Sequence, residues 1–260
     1  MYAAGVTAVA IFLSGASPSA SSSLLAIALV TSIAWMAHVL DRAKVLRRWR
    51  DPADRMADPQ REAWVDRHRL KLLVLAAVLC VVAFLLALAI NAWLELLLPA
   101  GIAAVIVYGS RRSDSRRTRP KDVLLAKNLL TGLAYATLVG AVLWAALPDR
   151  GGLWIAVGVV ALLVSADAML SDIDDRPSDA RFGTTTVAVL AGRRWATLVS
   201  ALLYAGGFAL WLLLGEWGAG SALFVLGMTF SGLATSPLRR LRTPIDLRAG
   251  LIGLAALLVG

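Results

Sequence analysis

The stretch that decides the fold is LWIAVGVVALLVSADAML at positions 153–170, which continues directly into SDIDDRPSD at 171–179. The first part is apolar apart from two polar side chains, and it is close to the length of about 20 residues that a membrane-spanning helix needs. The second part contains four aspartates. We therefore expect a transmembrane helix that ends in a strongly acidic segment.

Comparable apolar runs recur along the chain. Hydrophobic residues make up 59% of the 260 residues, whereas soluble domains are roughly 45–50% apolar. The sequence therefore predicts an all-α, polytopic membrane bundle of about nine transmembrane helices. The predicted spans lie at 2–14, 22–40, 70–91, 93–108, 123–147, 153–170, 194–214, 218–235 and 244–259.

The basic residues predict how these helices are oriented. The net charge is +9, and of the 26 Lys and Arg residues only Arg150 falls outside four segments that all lie on one side of the predicted bundle: 42–71, 111–127, 176–194 and 239–248. Basic loops remain in the cytoplasm. We expect a cytoplasmic amino terminus, an external carboxyl terminus and a prokaryotic inner membrane location. The charge then reflects topology and lipid contact, and no nucleic-acid partner is expected.

The second half of the chain echoes the first with a period of four spans. Asp41 follows the second span as Asp172 follows the sixth, and the basic pairs at 111–112 and 239–240 follow the fourth and eighth. We expect one membrane domain, 1–260, with repeats at about 1–122 and 123–243 and a last helix at 244–259. Such repeats commonly place a binding site between the halves, here in a central cavity open toward the cytoplasm.

The spacing of the aspartates in the acidic segment indicates a functional site. Asp172, Asp175 and Asp179 stand at i, i+3 and i+7, so they share one face of a helix that continues this far. Pro177 would end or bend that helix. Carboxylates at the carboxyl end of a helix oppose its dipole and repel one another, so a cation should compensate them. Mg²⁺ is one candidate. The alternative is an exposed acidic loop paired with its own arginines, Arg176 and Arg181.

This pattern resembles the UbiA prenyltransferase superfamily, whose aspartate-rich motif reads D-x-x-D-x-x-x-D. The match extends into RFGTTTV at 181–187 and LAGRR at 190–194. The resemblance implies transfer of an isoprenyl group from a prenyl diphosphate to a lipophilic acceptor. It also implies that Mg²⁺ binds Asp172, Asp175 and Asp179.

The first half departs from the family pattern. A typical member has N-D-x-x-D-x-x-x-D after the second span, and here only Asp41 remains of its aspartates, with Lys44 and Arg48 at the other two positions. The site could hold one metal ion with help from Asp41, the two cations could contact the diphosphate, or catalysis could be lost. Asp51 and Asp54 are possible replacements. The alternative function is therefore a non-catalytic or transport-type paralogue that binds a prenyl lipid or an anion.

Other substrate-binding candidates lie around the second basic segment. The resemblance favours Lys121, Arg119, Asn128 and Tyr108, while the alternative role of the charged members is topology and contact with anionic lipids. Arg181 is a further candidate beside the acidic motif.

Asp167 lies inside the sixth span. It is either part of the site or a protonated acid hydrogen-bonded to a neighbouring helix. A CDP-alcohol phosphotransferase also has clustered aspartates, but its pattern requires an Asp-Gly pair, and Arg176 follows Asp175 here.

Overall fold

The computed structural model describes residues 2–14, 19–44, 59–109, 123–147 and 151–213, and every regular element within these ranges is helical. The predicted eighth and ninth spans lie outside the described residues. The elements are α1 (Tyr2–Leu13), α2 (Ala20–Ala43), α3 (Pro59–Ile90), a 3₁₀ helix (Ala92–Leu96), α4 (Leu97–Gly109), α5 (Ala126–Ala146), α6 (Leu153–Phe182), α7 (Val187–Leu190) and α8 (Arg193–Leu212).

Five of these helices are long and apolar enough to cross a membrane, namely α2, α3, α5, α6 and α8. Two shorter apolar helical stretches, Tyr2–Phe12 and Ala92–Tyr108, accompany them. Large apolar side chains on α3, such as Leu70, Val74 and Leu85, are exposed. Exposed apolar surface of this extent is what a bilayer covers. For the residues described by the structure, the prediction of an all-α membrane protein is confirmed.

Helix α6 is the central element of the described chain. It packs against α1, α5 and α8, and the short helix α7 lies against its end. Buried apolar residues of α6 such as Val160 and Val164 join those of α2 and α5 in the largest core cluster. The position of α6 therefore determines where the acidic segment lies.

The acidic segment is helical, so the alternative interpretation of it as an exposed acidic loop was wrong. Helix α6 continues twelve residues beyond the predicted end of the sixth span and includes Pro177. It stops at Gly183, whose φ of 76° is unfavourable for residues with a Cβ. The amides of Gly183 and Thr184 both donate to the Asp179 carbonyl. These bonds form a Schellman-type stop.

Helix α3 also extends further than its apolar run. It begins at Pro59, a residue type favoured in the first helical turn, whereas the predicted span began at 70. In this amphipathic extension Glu62 and Val65 are buried. Arg69 donates hydrogen bonds to the carbonyls of Ala43 and Lys44, which lie at the carboxyl end of α2. The extension therefore fixes where α2 ends.

Small residues bring α5 and α6 close together. Gly132, Ala136 and Gly140 are buried on one face of α5. A Cβ at position 132 would lie 2.1 Å from Ser165 Oγ and 2.4 Å from the Ala161 carbonyl oxygen, both on α6. The two helices are antiparallel neighbours in the chain, so the first turn of α5 lies beside the acidic end of α6.

Candidate functional site

The site is built from the first turn of α5 and the last three turns of α6. Asp172 and Asp179 lie on one face of α6, as their spacing predicts, and their exposed fractions are 1% and 6%. The ammonium of Lys127 is 2.6 Å from Asp172 Oδ1 and 3.2 Å from Asp179 Oδ2. One lysine thus bridges two carboxylates that are nearly two helical turns apart.

Asn128 provides a second link between the two helices. Its side-chain Nδ2 donates a hydrogen bond of 2.9 Å to Asp172 Oδ2, so both oxygens of this carboxylate have a partner on α5. The residue is 1% exposed, and its Oδ1 atom is buried with no hydrogen-bond partner. A buried amide oxygen without a donor is costly. It is therefore available to a cation or to a hydrogen-bond donor of a ligand.

The surroundings explain why clustered carboxylates are tolerated at the end of a helix. They oppose the dipole of α6, but they lie beside the amino terminus of α5, whose dipole favours negative charge. Lys127 adds a full positive charge within salt-bridge distance. The charge of Asp175, which is half-buried one turn from Asp172, also acts on Lys127.

These residues fit a hard divalent cation. Mg²⁺ is usually held by one or two carboxylates, with water and substrate phosphates completing its shell, and Asp172, Asp179 and the unpartnered Asn128 Oδ1 supply oxygen donors of this kind. Among the residues described here, no three Asp, Glu, His or Cys side chains group closely enough to hold a metal by themselves. The donor set therefore suits a cation that is shared with an anionic ligand.

Tyr108 connects this cluster to the first half of the chain. Its hydroxyl lies 3.5 Å from the Lys127 carbonyl oxygen, and the charges of Lys127, Asp172 and Asp41 all act on it. Tyr108 lies in the last turn of α4, and Asp41 lies in the last turn of α2. The carboxyl ends of α2, α4 and α6 and the amino end of α5 therefore meet in one region.

Asp41 is paired with Lys44, the residue that follows the end of α2. The Lys44 ammonium donates to Asp41 Oδ1, and Lys44 is buried with a positive φ of 44°. A lysine rarely adopts this conformation, and here the two hydrogen bonds from Arg69 hold the backbone beside it. Lys44 thus lies against Asp41 at the carboxyl end of α2.

Asp167 is a structural hydrogen-bond acceptor. The hydroxyl of Tyr2 donates to its Oδ2 at 2.8 Å, and the hydroxyl of Tyr204 donates to its Oδ1. These tyrosines belong to α1 and α8. Of the two interpretations of this intramembrane acid, the structure supports the hydrogen bond to neighbouring helices.

The structure brings together some of the predicted site residues and not others. Asp172, Asp175, Asp179, Asn128 and Tyr108 surround Lys127, with Asp41 and Lys44 nearby. Arg181 is exposed in the last turn of α6, away from the buried cluster. Arg48, Asp51, Asp54, Arg119 and Lys121 lie outside the described residues.

Lys127 was not among the predicted site residues. It was counted as the last cation of a basic segment, and Lys121 was favoured because of the family resemblance. One signal could have identified it, because Lys127 and Asn128 are adjacent polar residues at the start of an apolar span, within reach of the neighbouring antiparallel helix.

Comparisons with known proteins agree with this fold. A UbiA homolog from Aeropyrum pernix K1 is similar with a TM-score of 0.72 and 18% identity over 99% of this chain and 96% of that chain. A UbiA homolog from Archaeoglobus fulgidus bound to GPP and Mg²⁺ has a TM-score of 0.60 and 14% identity over 98% and 93% of the two chains. A digeranylgeranylglyceryl phosphate synthase has a TM-score of 0.59 and 15% identity over 98% and 91%.

Identities this low show the fold alone. A search among curated proteins found no match. The model of the UbiA prenyltransferase family, however, matches residues 3–249, which is nearly the whole sequence. The chain therefore belongs to the UbiA prenyltransferase family.

Proposed function

We propose that this chain is an intramembrane prenyltransferase that transfers an isoprenyl group from a prenyl diphosphate to a lipophilic acceptor. The observation that carries the proposal is the convergence of Lys127 and Asn128 on the buried carboxylates of Asp172 and Asp179. A UbiA homolog from Archaeoglobus fulgidus with the same fold binds GPP and Mg²⁺. Family membership and this cluster support the same class of reaction.

In the proposed reaction the allylic carbon–oxygen bond breaks, and diphosphate leaves with the bonding electrons. The acceptor then forms a new bond to that carbon and loses a proton. Mg²⁺, held by Asp172 and Asp179 with help from Asp175 and Asp41, would neutralise charge that develops on the leaving group. Lys127 and Lys44 add fixed positive charge near the same place, where the low dielectric strengthens its effect.

The proposal includes the finer architecture. We propose nine transmembrane helices, two four-helix repeats at about 1–122 and 123–243, a last helix at 244–259 and an apolar cavity that opens toward the cytoplasm. The isoprenoid chain would lie in that cavity, away from water, and we propose Arg48, Arg119, Lys121 and Arg181 as further residues that bind the substrate. The membrane is proposed to be a prokaryotic inner membrane, with the amino terminus in the cytoplasm.

The test uses the full chain purified in detergent. We expect Mg²⁺-dependent binding of geranylgeranyl diphosphate and release of diphosphate with at least one lipophilic acceptor. Asp172→Asn, Asp175→Asn and Asp179→Asn should each abolish the Mg²⁺-dependent binding. Asp174→Asn is the matched control, because this residue points away from Asp172 on the same helix. Wild-type binding in the first three variants would contradict the site assignment.

One observation favours a second candidate, a non-catalytic or transport-type paralogue that binds a prenyl lipid or an anion. Lys44 is buried against Asp41, so the first family motif holds a cation where other members have aspartates. Binding of the prenyl diphosphate without turnover across several acceptors would support this candidate.

A further inference from the structure

The Lys127 ammonium lies in the place where the proposed reaction also requires a divalent cation. Lys127 Nζ lies within salt-bridge distance of both Asp172 and Asp179. Asn128 donates to the second oxygen of Asp172, and its own Oδ1 atom is buried without a hydrogen-bond partner. A protein cation therefore sits among the oxygen atoms that fit a divalent cation.

An ammonium and a divalent cation cannot both make these contacts. A bound Mg²⁺ would approach the carboxylate oxygens to about 2.0–2.1 Å, and Lys127 Nζ already contacts one oxygen of each carboxylate. If both cations contacted Asp172 and Asp179, their positive charges would repel each other strongly, because both are largely removed from water. Binding of one cation therefore weakens binding of the other.

We infer that Lys127 is an internal counter-ion that competes with a divalent cation for Asp172 and Asp179. The inference rests on the proposed function, because it takes this carboxylate pair as the diphosphate-metal site. Lys127 is a positioning residue in this account, since it holds the two carboxylates together across nearly two turns of α6. Lys127 also lowers the affinity of the site for a metal ion that binds without an anionic ligand. When an anionic ligand is present, it provides the displaced ammonium with a new partner.

The test measures metal affinity without any prenyl diphosphate. Mn²⁺ is the probe, and the free ion is followed by electron paramagnetic resonance during titration of the full chain in detergent. Lys127→Met should bind Mn²⁺ at least about tenfold more tightly than the wild type, because a neutral side chain of similar length removes the competing charge. Lys127→Arg should bind no more tightly than the wild type. Lys71→Met, at an exposed lysine of α3, is the control and should leave the affinity unchanged.

A second comparison guards against misfolding of Lys127→Met, which leaves two buried carboxylates without their cation. The double variant Lys127→Met with Asp179→Asn removes one charge of each sign, so its buried charge is balanced as in the wild type. It should bind Mn²⁺ more tightly than Asp179→Asn alone. Equal or weaker binding in both comparisons, or no Mn²⁺ binding by any variant, would overturn the inference.

The outcomes separate this inference from the proposed function. Tighter Mn²⁺ binding by Lys127→Met would support the competition. If the wild type at the same time shows no turnover of the prenyl diphosphate, the proposed enzyme activity is contradicted. Mg²⁺-dependent prenyl transfer with an unchanged Mn²⁺ affinity in Lys127→Met would support the proposed enzyme and contradict the competition.

Discussion

The carboxylate of Asp167 accepts hydrogen bonds from Tyr2 of α1 and Tyr204 of α8, although all three residues lie in apolar helices. Its exposed fraction is 5%. A buried acid is costly unless its oxygens are satisfied, and the two phenols satisfy both of them. Asp167 therefore joins three helices, and its role differs from that of Asp172, five residues further along α6.

Replacing Asp167 separates these roles. We expect Asp167→Leu to lower stability by about 1–3 kcal/mol, because both tyrosine hydroxyls lose a buried acceptor. Asp167→Asn should cost less, since the amide oxygen still accepts a hydrogen bond. Thermal unfolding in detergent measures the effect, and Mn²⁺ affinity is measured on the same samples. A loss of Mn²⁺ binding at unchanged stability would place Asp167 in the proposed metal site instead.

The spacing of Asp172, Asp175 and Asp179 was enough to predict that they share a face. It could not predict their partner, because contacts between helices depend on how far one helix is shifted along the other. That shift places Lys127 beside both Asp172 and Asp179. The shared face on one helix therefore followed from the spacing of its aspartates, whereas the lysine that joins them from the next helix did not.

At the level of elements, the contact between α5 and α6 depends on glycine. A Cβ at Gly132 would overlap Ser165 Oγ and the Ala161 carbonyl oxygen. Close approach of helix backbones is typical of small residues in membrane helices. The distance from Lys127 and Asn128 on α5 to the acidic end of α6 thus depends on the close contact at Gly132, which lies one helical turn after Asn128.

Gly132→Ala should therefore destabilise the protein by about 1–3 kcal/mol, because the added methyl group overpacks a tight contact. Gly101→Ala is the matched control, since its Cβ would meet Ile33 Cγ2 at an ordinary 3.9 Å. Thermal unfolding in detergent compares the two. Equal melting temperatures would show that α5 and α6 tolerate a wider separation.

The apolar runs located the described membrane helices well, but they did not locate the ends of α3 and α6. Hydropathy indicates which residues contact lipid, whereas a helix continues as long as its backbone N–H and C=O groups are hydrogen-bonded. Helix α3 begins eleven residues before its apolar run, and α6 continues through Pro177 to the stop at Gly183. The polar extensions are amphipathic or charged, so a search for apolar runs does not detect them.

At the level of the whole molecule, the distribution of basic residues predicts the orientation. Cys80 is the single cysteine, so a Cys80→Ala background permits labelling at one chosen position. In bacterial spheroplasts, a membrane-impermeant maleimide should label Gly151→Cys, and should label Arg194→Cys only after the membrane is opened. Gly151 is exposed in a turn, and Arg194 is exposed in the first turn of α8. The reverse pattern would mean that the basic segments are external.

The length of α6 has a consequence for the depth of the site. Thirty helical residues span about 45 Å, which is about 15 Å more than the hydrocarbon core of a bilayer. With its amino end at one membrane surface, α6 reaches the opposite surface near Asp172 and carries Asp179 into the headgroup layer. A ligand that contacts both residues would keep its charged group at the level of the lipid phosphates while its tail remained among the acyl chains.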